Sequence, residues 1–220
     1  NRAGFAIVDD EVTREAARQE MIRRYFRYRC EYAMGFADGG TVQRVELLLK
    51  DFHLAPEYRK VVEPARRAAH EAQAQDKGDE GIFCGAAIEL QDGTLVKGNN
   101  SPLMHAASSV VIHAIKHLSG IPGMIKLLPE YITESVKNLK TGILNEKSVS
   151  LDLEETLIAL AISSTTNPAA QLALEKLKEL KGCEVHMTHI PTPGDEAGLR
   201  RLGVNLTSDP NFSSKDLFIA

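Results

Sequence analysis

Three groups of residues have the types and spacing for chemistry. His186-Met187-Thr188-His189 with Cys183 offers two imidazoles and a thiol within seven positions. His105, His113 and His117 fall within one apolar, helix-like stretch. Ser164-Thr165-Thr166-Asn167 places four neutral donors directly before Pro168. The first group has metal-ligand character, but its surroundings read as a strand, and there His186 and His189 point to opposite faces. Cys183 and His189 share a face yet lie roughly 20 Å apart at about 3.3 Å per residue, too far for one ion. The simpler reading is two polar ends on a core strand. His189 is the more informative half, because ligands of open α/β sheets bind at carboxyl ends of strands.

The other motifs exclude as much as they offer. His113 and His117 stand four apart, but a zinc-protease helix needs glutamate where Ala114 stands. No Walker-type phosphate loop and no G-x-S-x-G elbow occurs, and Ser108-Ser109 reads as helix packing. Arg14, Arg18, Arg23, Arg24, Arg27 and Arg29 interleave with Glu11, Glu15, Glu20 and Glu31, which makes them a solvated helix face with i,i+4 pairs.

The elements that must position these groups follow from periodicity. After the apolar run Phe5-Ala6-Ile7-Val8, acidic Asp9, Asp10 and Glu11 suit a helix start. A helix is expected over residues 13–34, with Ile22, Tyr25, Phe26, Ala33 and Phe36 as its stripe. Asp38-Gly39-Gly40 ends it, and Thr41 opens a second helix with Val42, Val45, Leu48, Leu49 and Phe52 inward. Pro56 opens a third, which Pro64 would kink or break. Residues 73–81 are polar without apolar period, and the domain boundary is placed there.

Beyond it, Asp92-Gly93 between apolar residues 86–90 and 94–98 predicts a hairpin. A helix is expected over 102–117, another near 129–139, a buried strand over 156–162 with helix as its rival, and a helix from Pro168 to 180. A strand over 183–190, a helix over 195–202 ending at Gly203, and a strand over 204–207 complete the series. Such alternation predicts a three-layer α/β/α arrangement around a mixed but mostly parallel sheet. The fold class is therefore α/β: a helical unit, residues 1–80, followed by an α/β/α domain, residues 81–220.

The order of elements is similar to that of the zinc nucleoside deaminases, where a hairpin precedes a helix with His/Cys-Ala-Glu, then a strand, then Pro-Cys-x-x-Cys. The chemistry does not match. Ala107 stands at the position of the acid/base glutamate, and Ala169 and Leu172 stand at the two thiolate positions. One histidine cannot hold zinc, so a deaminase-like fold without metal, cofactor or deaminase activity is expected.

Composition narrows the class further. The 220 residues carry 26 Lys+Arg against 30 Asp+Glu, a net charge of -4 that gives no bulk case for nucleic acid as partner. No apolar run approaches the roughly 18 residues of a membrane span, and no signal peptide is visible. Three widely spaced cysteines read as reduced thiols of a cytoplasmic protein. The start at Asn1-Arg2-Ala3-Gly4 rather than Met reads as part of a longer chain.

Several stretches resemble a bacterial family, Domain of Unknown Function 1846, also called uncharacterised protein family 0371. They are Val8-Asp9-Asp10-Glu11 with Arg23-Arg24-Tyr25, Ile88-Glu89-Leu90-Gln91-Asp92-Gly93, Thr166-Asn167-Pro168, Gly182-Cys183-Glu184-Val185-His186, and Arg201-Leu202-Gly203-Val204-Asn205-Leu206-Thr207. The resemblance implies members about twice this length, with this chain as their C-terminal half. It also implies a Gly-rich, Lys-containing segment in the absent half that suits nucleotide phosphate. It supplies no reaction.

Function is expected to be that of a small-anion or nucleotide-binding and assembly module, a homo-oligomer. The anion would sit where helix starts near residues 101–105 and 165–168 converge. Ser101, Ser164, Thr165, Thr166, Asn167, Thr188, Thr192 and Asp195 are the candidate ligand-binding residues, although Asn167 has a simpler duty as helix cap. One alternative is an enzyme whose site forms with the N-terminal half, with His105 or His189 as general acid or base. The other is a purely structural oligomerisation domain. Limited proteolysis should cut first between Gln75 and Gly81, where polar residues and two glycines leave the backbone open; a first cut within 121–150 would overturn the boundary.

Overall fold

The computed structural model describes residues 10–213. The apolar run Phe5-Ala6-Ile7-Val8 lies outside the described residues.

Helix α1 (Asp10–Ala33) starts with Asp10 and Glu11 in its first turn and buries Ile22, Phe26 and Cys30, spaced by four. Helix α2 (Gly39–Asp51) is capped by Asp38, whose carboxylate accepts from the Thr41 N–H at 2.8 Å. Of its expected stripe only Leu49 is buried; Leu48 and Phe52 are exposed, as is Phe36 of the α1 stripe at 77%. Pro56 opens a single 3-10 turn (Pro56–Tyr58). Helix α3 (Val62–Ala74) begins only at Val62. Pro64 therefore sits in its first turn, where no N–H is required, and neither kinks nor breaks it.

The hairpin forms as its sequence predicts, from β1 (Gly85–Glu89) and β2 (Leu95–Asn99). Asp92 accepts from the Thr94 N–H, and Gly93 takes the left-handed φ of 84° that the turn requires. Helix α4 (Ala106–Leu118) begins four residues later than expected, and α5 (Glu130–Gly142) follows.

Residues 156–162 are not a strand. They lie in helix α6 (Leu153–Ser163), which opens on a capping box: Asp152 accepts from the Glu155 N–H, and the Glu155 carboxylate accepts from the Asp152 N–H. The apolar run is buried on one side only, at Leu153, Thr156, Ala159, Leu160 and Ser163, while Ile158 and Ile162 face outward. Helix α7 (Pro168–Glu175) passes into a 3-10 turn (Lys176–Leu180), and Gly182 follows in left-handed conformation. Strand β3 (Glu184–Met187), helix α8 (Pro193–Leu202) and strand β4 (Asn205–Ser208) end the series, with Gly203 as the left-handed C-cap of α8.

The sheet order is β2-β1-β3-β4, with β1 antiparallel to both neighbours and only β3 and β4 parallel. The sheet is mixed but not mostly parallel. With residues 153–163 helical, no strand stands between α4 and α7, so the deaminase-like order of elements loses the strand between its two helices.

Helices cover both faces. On one, Ala87 packs against Val61 and Ala65 beneath α3, and α1 lies over β4. On the other, Ala86, Ile88, Val185 and Met187 join Ala107, Val110, Val111 and Ala114 of α4 in the main core. Two glycines set the spacing. A Cβ on Gly85 would stand 2.2 Å from the Ala65 carbonyl oxygen of α3, and one on Gly98 would stand 2.4 Å from the Val110 nitrogen of α4. Arg59, 1% exposed, ties the helical segment to the parallel pair. Its guanidinium donates to the Glu184 carboxylate, Thr207 Oγ1 and the Val185 and Asn205 carbonyls.

Gly85→Ala should lower stability to urea by about 2 kcal/mol, because the added methyl meets helix backbone that cannot rotate away. Gly142→Ala, where a Cβ meets nothing within 4 Å, should be neutral or stabilising by up to about 1 kcal/mol.

Candidate functional site

The starts of α4, α6 and α8 meet at one carboxylate. Asp195 lies in the first turn of α8 and is 2% exposed. Its Oδ1 accepts from the Leu153 N–H at 2.9 Å, and its Oδ2 accepts from Thr192 Oγ1 at 2.9 Å. The same Oδ2 stands 2.8 Å from His105 Nδ1. Each partner has a local reason for its position. Thr192 is the N-cap of α8, with Pro193 at the first helical position. Leu153 opens α6, where the first N–H groups have no partner within the helix. His105 is the N-cap of α4, but its ring makes no cap bond; its backbone N–H reaches the Leu151 carbonyl and the imidazole turns to Asp195.

A cavity of about 430 Å³ opens on this group, and His105, His189, Cys84, Met187, Thr192 and Asp195 are in its lining. Asp79, Glu80 and Lys147 also border it. Held through Nδ1 to a carboxylate, His105 has Nε2 as its second nitrogen, without a hydrogen-bond partner among the described residues. His189 pairs through Nδ1 with Thr188 Oγ1 at 2.9 Å, and Thr188 is fixed in turn by the Gly85 N–H.

The two histidines are biased in opposite directions. Burial works against charge on His105, but the hydrogen bond and charge of Asp195, aided by Asp152, outweigh it and raise the pKa above 6.5. Burial lowers that of His189, with Asp209 opposing only in part. The Cys84 thiol is pushed up to about 12 by burial and the charge of Asp195, so it stays protonated at neutral pH and is not an activated nucleophile.

The sequence candidates divide. His105, His189, Thr192 and Asp195 come together at this cavity, with Thr188 supporting His189. Ser101 stands outside its lining; its hydroxyl accepts from the Leu103 and Met104 N–H groups. Ser164, Thr165, Thr166 and Asn167 sit at the far end of α6, roughly 16 Å from Leu153 by helical rise. Ser164 and Thr165 donate to the Ala161 and Ile162 carbonyls, and Asn167 caps α7 by accepting from the Ala169 and Ala170 N–H groups. The expected meeting of the α4 and α7 starts is therefore replaced by a meeting of α4, α6 and α8.

The other chemistry-bearing residues lie elsewhere. His186 is fully buried on the opposite face of β3, against Phe26, with Nδ1 at Thr207 Oγ1 and Nε2 3.6 Å from Asp209. Arg66 grips that Asp209 with two hydrogen bonds. His113 bonds the Lys97 carbonyl at the surface. Among the described residues no group of three or more His, Cys, Asp or Glu side chains is arranged to hold a metal. Sequence reasoning missed Leu153 and Cys84. The capping box Asp152-x-x-Glu155 was a readable signal for the first; Cys84 had none, since only sheet packing brings it to the cavity.

Fold and site define an α/β protein with a half-buried histidine held by a buried aspartate where three helices begin. Residues 57–218 match the description "Domain of unknown function DUF1846, C-terminal", and residues 1–53 match its N-terminal counterpart. The chain belongs to the Domain of Unknown Function 1846 family. It is 46% identical over 219 residues to a UPF0371 protein of Clostridium botulinum (strain Alaska E43 / Type E3), covering 99% of this chain and 43% of that protein. A UPF0371 protein of Clostridioides difficile (strain 630) is 44% identical over the same length and share. The chain thus spans less than half the length of these curated relatives. Because it matches both family descriptions, it is not simply their C-terminal half.

In an NMR titration the His105 ring should titrate above 6.5 and the His189 ring below it. The stability that the charged His105 draws from Asp195 is then complete below 6.5 and is lost as pH rises through the raised value. The reverse order of the two histidines would refute this reading of the cavity.

Proposed function

We propose that the cavity bordered by His105, Asp195 and His189 binds a small molecule carrying an anionic group, phosphate or carboxylate. The observation that carries this reading is the 2.8 Å contact between His105 Nδ1 and Asp195 Oδ2 inside a cavity of about 430 Å³. It favours the charged imidazole and directs its second nitrogen to a ligand. The starts of α4 and α8 border the same space and add partial positive charge from their first N–H groups. Nucleotides belong to this ligand class, and the neutral hydroxyl of Thr192 is already committed to Asp195.

Acid–base catalysis is the second reading, favoured by the opposite environments of the histidines. A raised His105 is the proton donor and a lowered His189 the acceptor. Asp195 then acts through His105 as a positioning residue. Assembly into a homo-oligomer stays part of the proposal, supported by the exposed Phe36, Leu48 and Phe52 on the α1–α2 pair.

Calorimetric titration with inorganic phosphate and with a nucleoside triphosphate tests the site. His105→Ala should weaken binding about tenfold to a hundredfold, the range for a hydrogen bond to a charged group. Thr165→Ala, in the loop remote from the cavity, should leave affinity unchanged. Equal affinity in the wild type and His105→Ala, or no binding of either ligand, would refute the proposal.

A further inference from the structure

A second cavity, of about 450 Å³, lies behind the wall of the first. The wall is the short bridge between Met104 and Leu151, closed by the His105 N–H to the Leu151 carbonyl and the Leu151 N–H to the Leu103 carbonyl. Side chains alternate across it: Ser148 and Ser150 border the first cavity, Val149 and Leu151 the second.

The second cavity is lined mainly by aliphatic groups, among them Leu103, Ile112, Ile125, Leu127 and Leu128. Lys116 of α4 is also in its lining and is only 8% exposed. Its ammonium donates to the Gly123 carbonyl at 2.7 Å and pairs with no carboxylate among the described residues. Among the described residues the two other buried Lys and Arg side chains differ. Lys140 pairs with Glu155 and Glu146, and Arg59 pairs with Glu184. Around Lys116 the remaining charged lining is balanced, with Lys126 and Lys137 against Glu130 and Glu134. Lys116 is therefore the uncompensated charge, and burial lowers its pKa because no partner offsets the lost hydration.

An ammonium has three donors, and one is used. A neutral apolar molecule in this space would leave the charge unpaired, which is costly away from water. A doubly charged phosphate ester would exceed the single positive charge. The remaining match is one negative charge on an aliphatic body. We propose that this cavity binds a small aliphatic carboxylate, with its chain against the leucine and isoleucine wall and its carboxylate on Lys116 Nζ.

The test is calorimetric titration of the full chain with octanoate and with octanol, its neutral counterpart. Octanoate should bind about tenfold tighter or more, the gain from one charge-assisted hydrogen bond. Lys116→Met keeps the bulk and removes the charge, and should abolish that preference. The Lys116 side-chain NMR signal of the wild type should move on adding octanoate and stay in place with octanol. Equal affinities, no octanoate binding, or a preference retained in Lys116→Met would overturn the proposal. Where Lys116→Met does not fold, the wild-type affinity ratio and the Lys116 signal decide, and an unmoved signal overturns it.

Discussion

The buried carboxylate of Asp195 is the constraint on which the site depends. Removed from water, it must have its oxygens satisfied by protein donors. The donors come from three parts of the chain: the Leu153 N–H, the Thr192 hydroxyl and the His105 ring. Satisfying one charge thus brings together the starts of α4, α6 and α8. It also uses their electrostatics, since each helix start favours negative charge. Close approach is possible because residue 194 is glycine: a Cβ there would stand 1.9 Å from Asp152 Oδ2, the carboxylate that caps α6. Packing, capping and the orientation of His105 are parts of one arrangement.

A second buried charge organises the opposite face. Arg59 satisfies its guanidinium on β3 and β4, and so holds the segment before α3 against the parallel pair. Beside it, His186 and Asp209 complete a network gripped by Arg66. Removing one member of such a network leaves another buried charge without a partner. The contrast between His186 and His189 follows directly. His186 lies within β3 and faces this interior network, whereas His189 lies in the bend just after the strand and faces a cavity.

The two cavities share a wall one backbone thick. Segments 147–151 and 103–106 contribute to both: Leu103 and Met104 line one cavity, and His105 and Ala106 the other. Both are lined largely by apolar groups; what sets them apart is the charged chemistry at each, His105, His189 and Asp195 at one and the ammonium of Lys116 at the other. Ser148 and Ser150 border one of them, and Val149 and Leu151 the other.

The sequence alone determined whatever rests on local chemistry. Asp92-Gly93 specified the hairpin, and Gly182 and Gly203 marked the ends of the segments before β3 and β4, because these features need only a few neighbouring backbone atoms. It also placed His105, His189, Thr192 and Asp195 near strand ends and helix starts, but it gave Ser164, Thr165, Thr166 and Asn167 the same standing. Tertiary structure separated them, since only packing brings α8 against α6 and leaves the α7 start at the other end. The run 156–162 is a different case, because a local signal was there to be read. Apolar composition alone does not distinguish a strand buried on both faces from a helix buried on one, and the Asp152–Glu155 capping box decided for helix. The mixed sheet followed from that choice, because pairing partners far apart in sequence are selected by the burial of whole faces and not by any local signal.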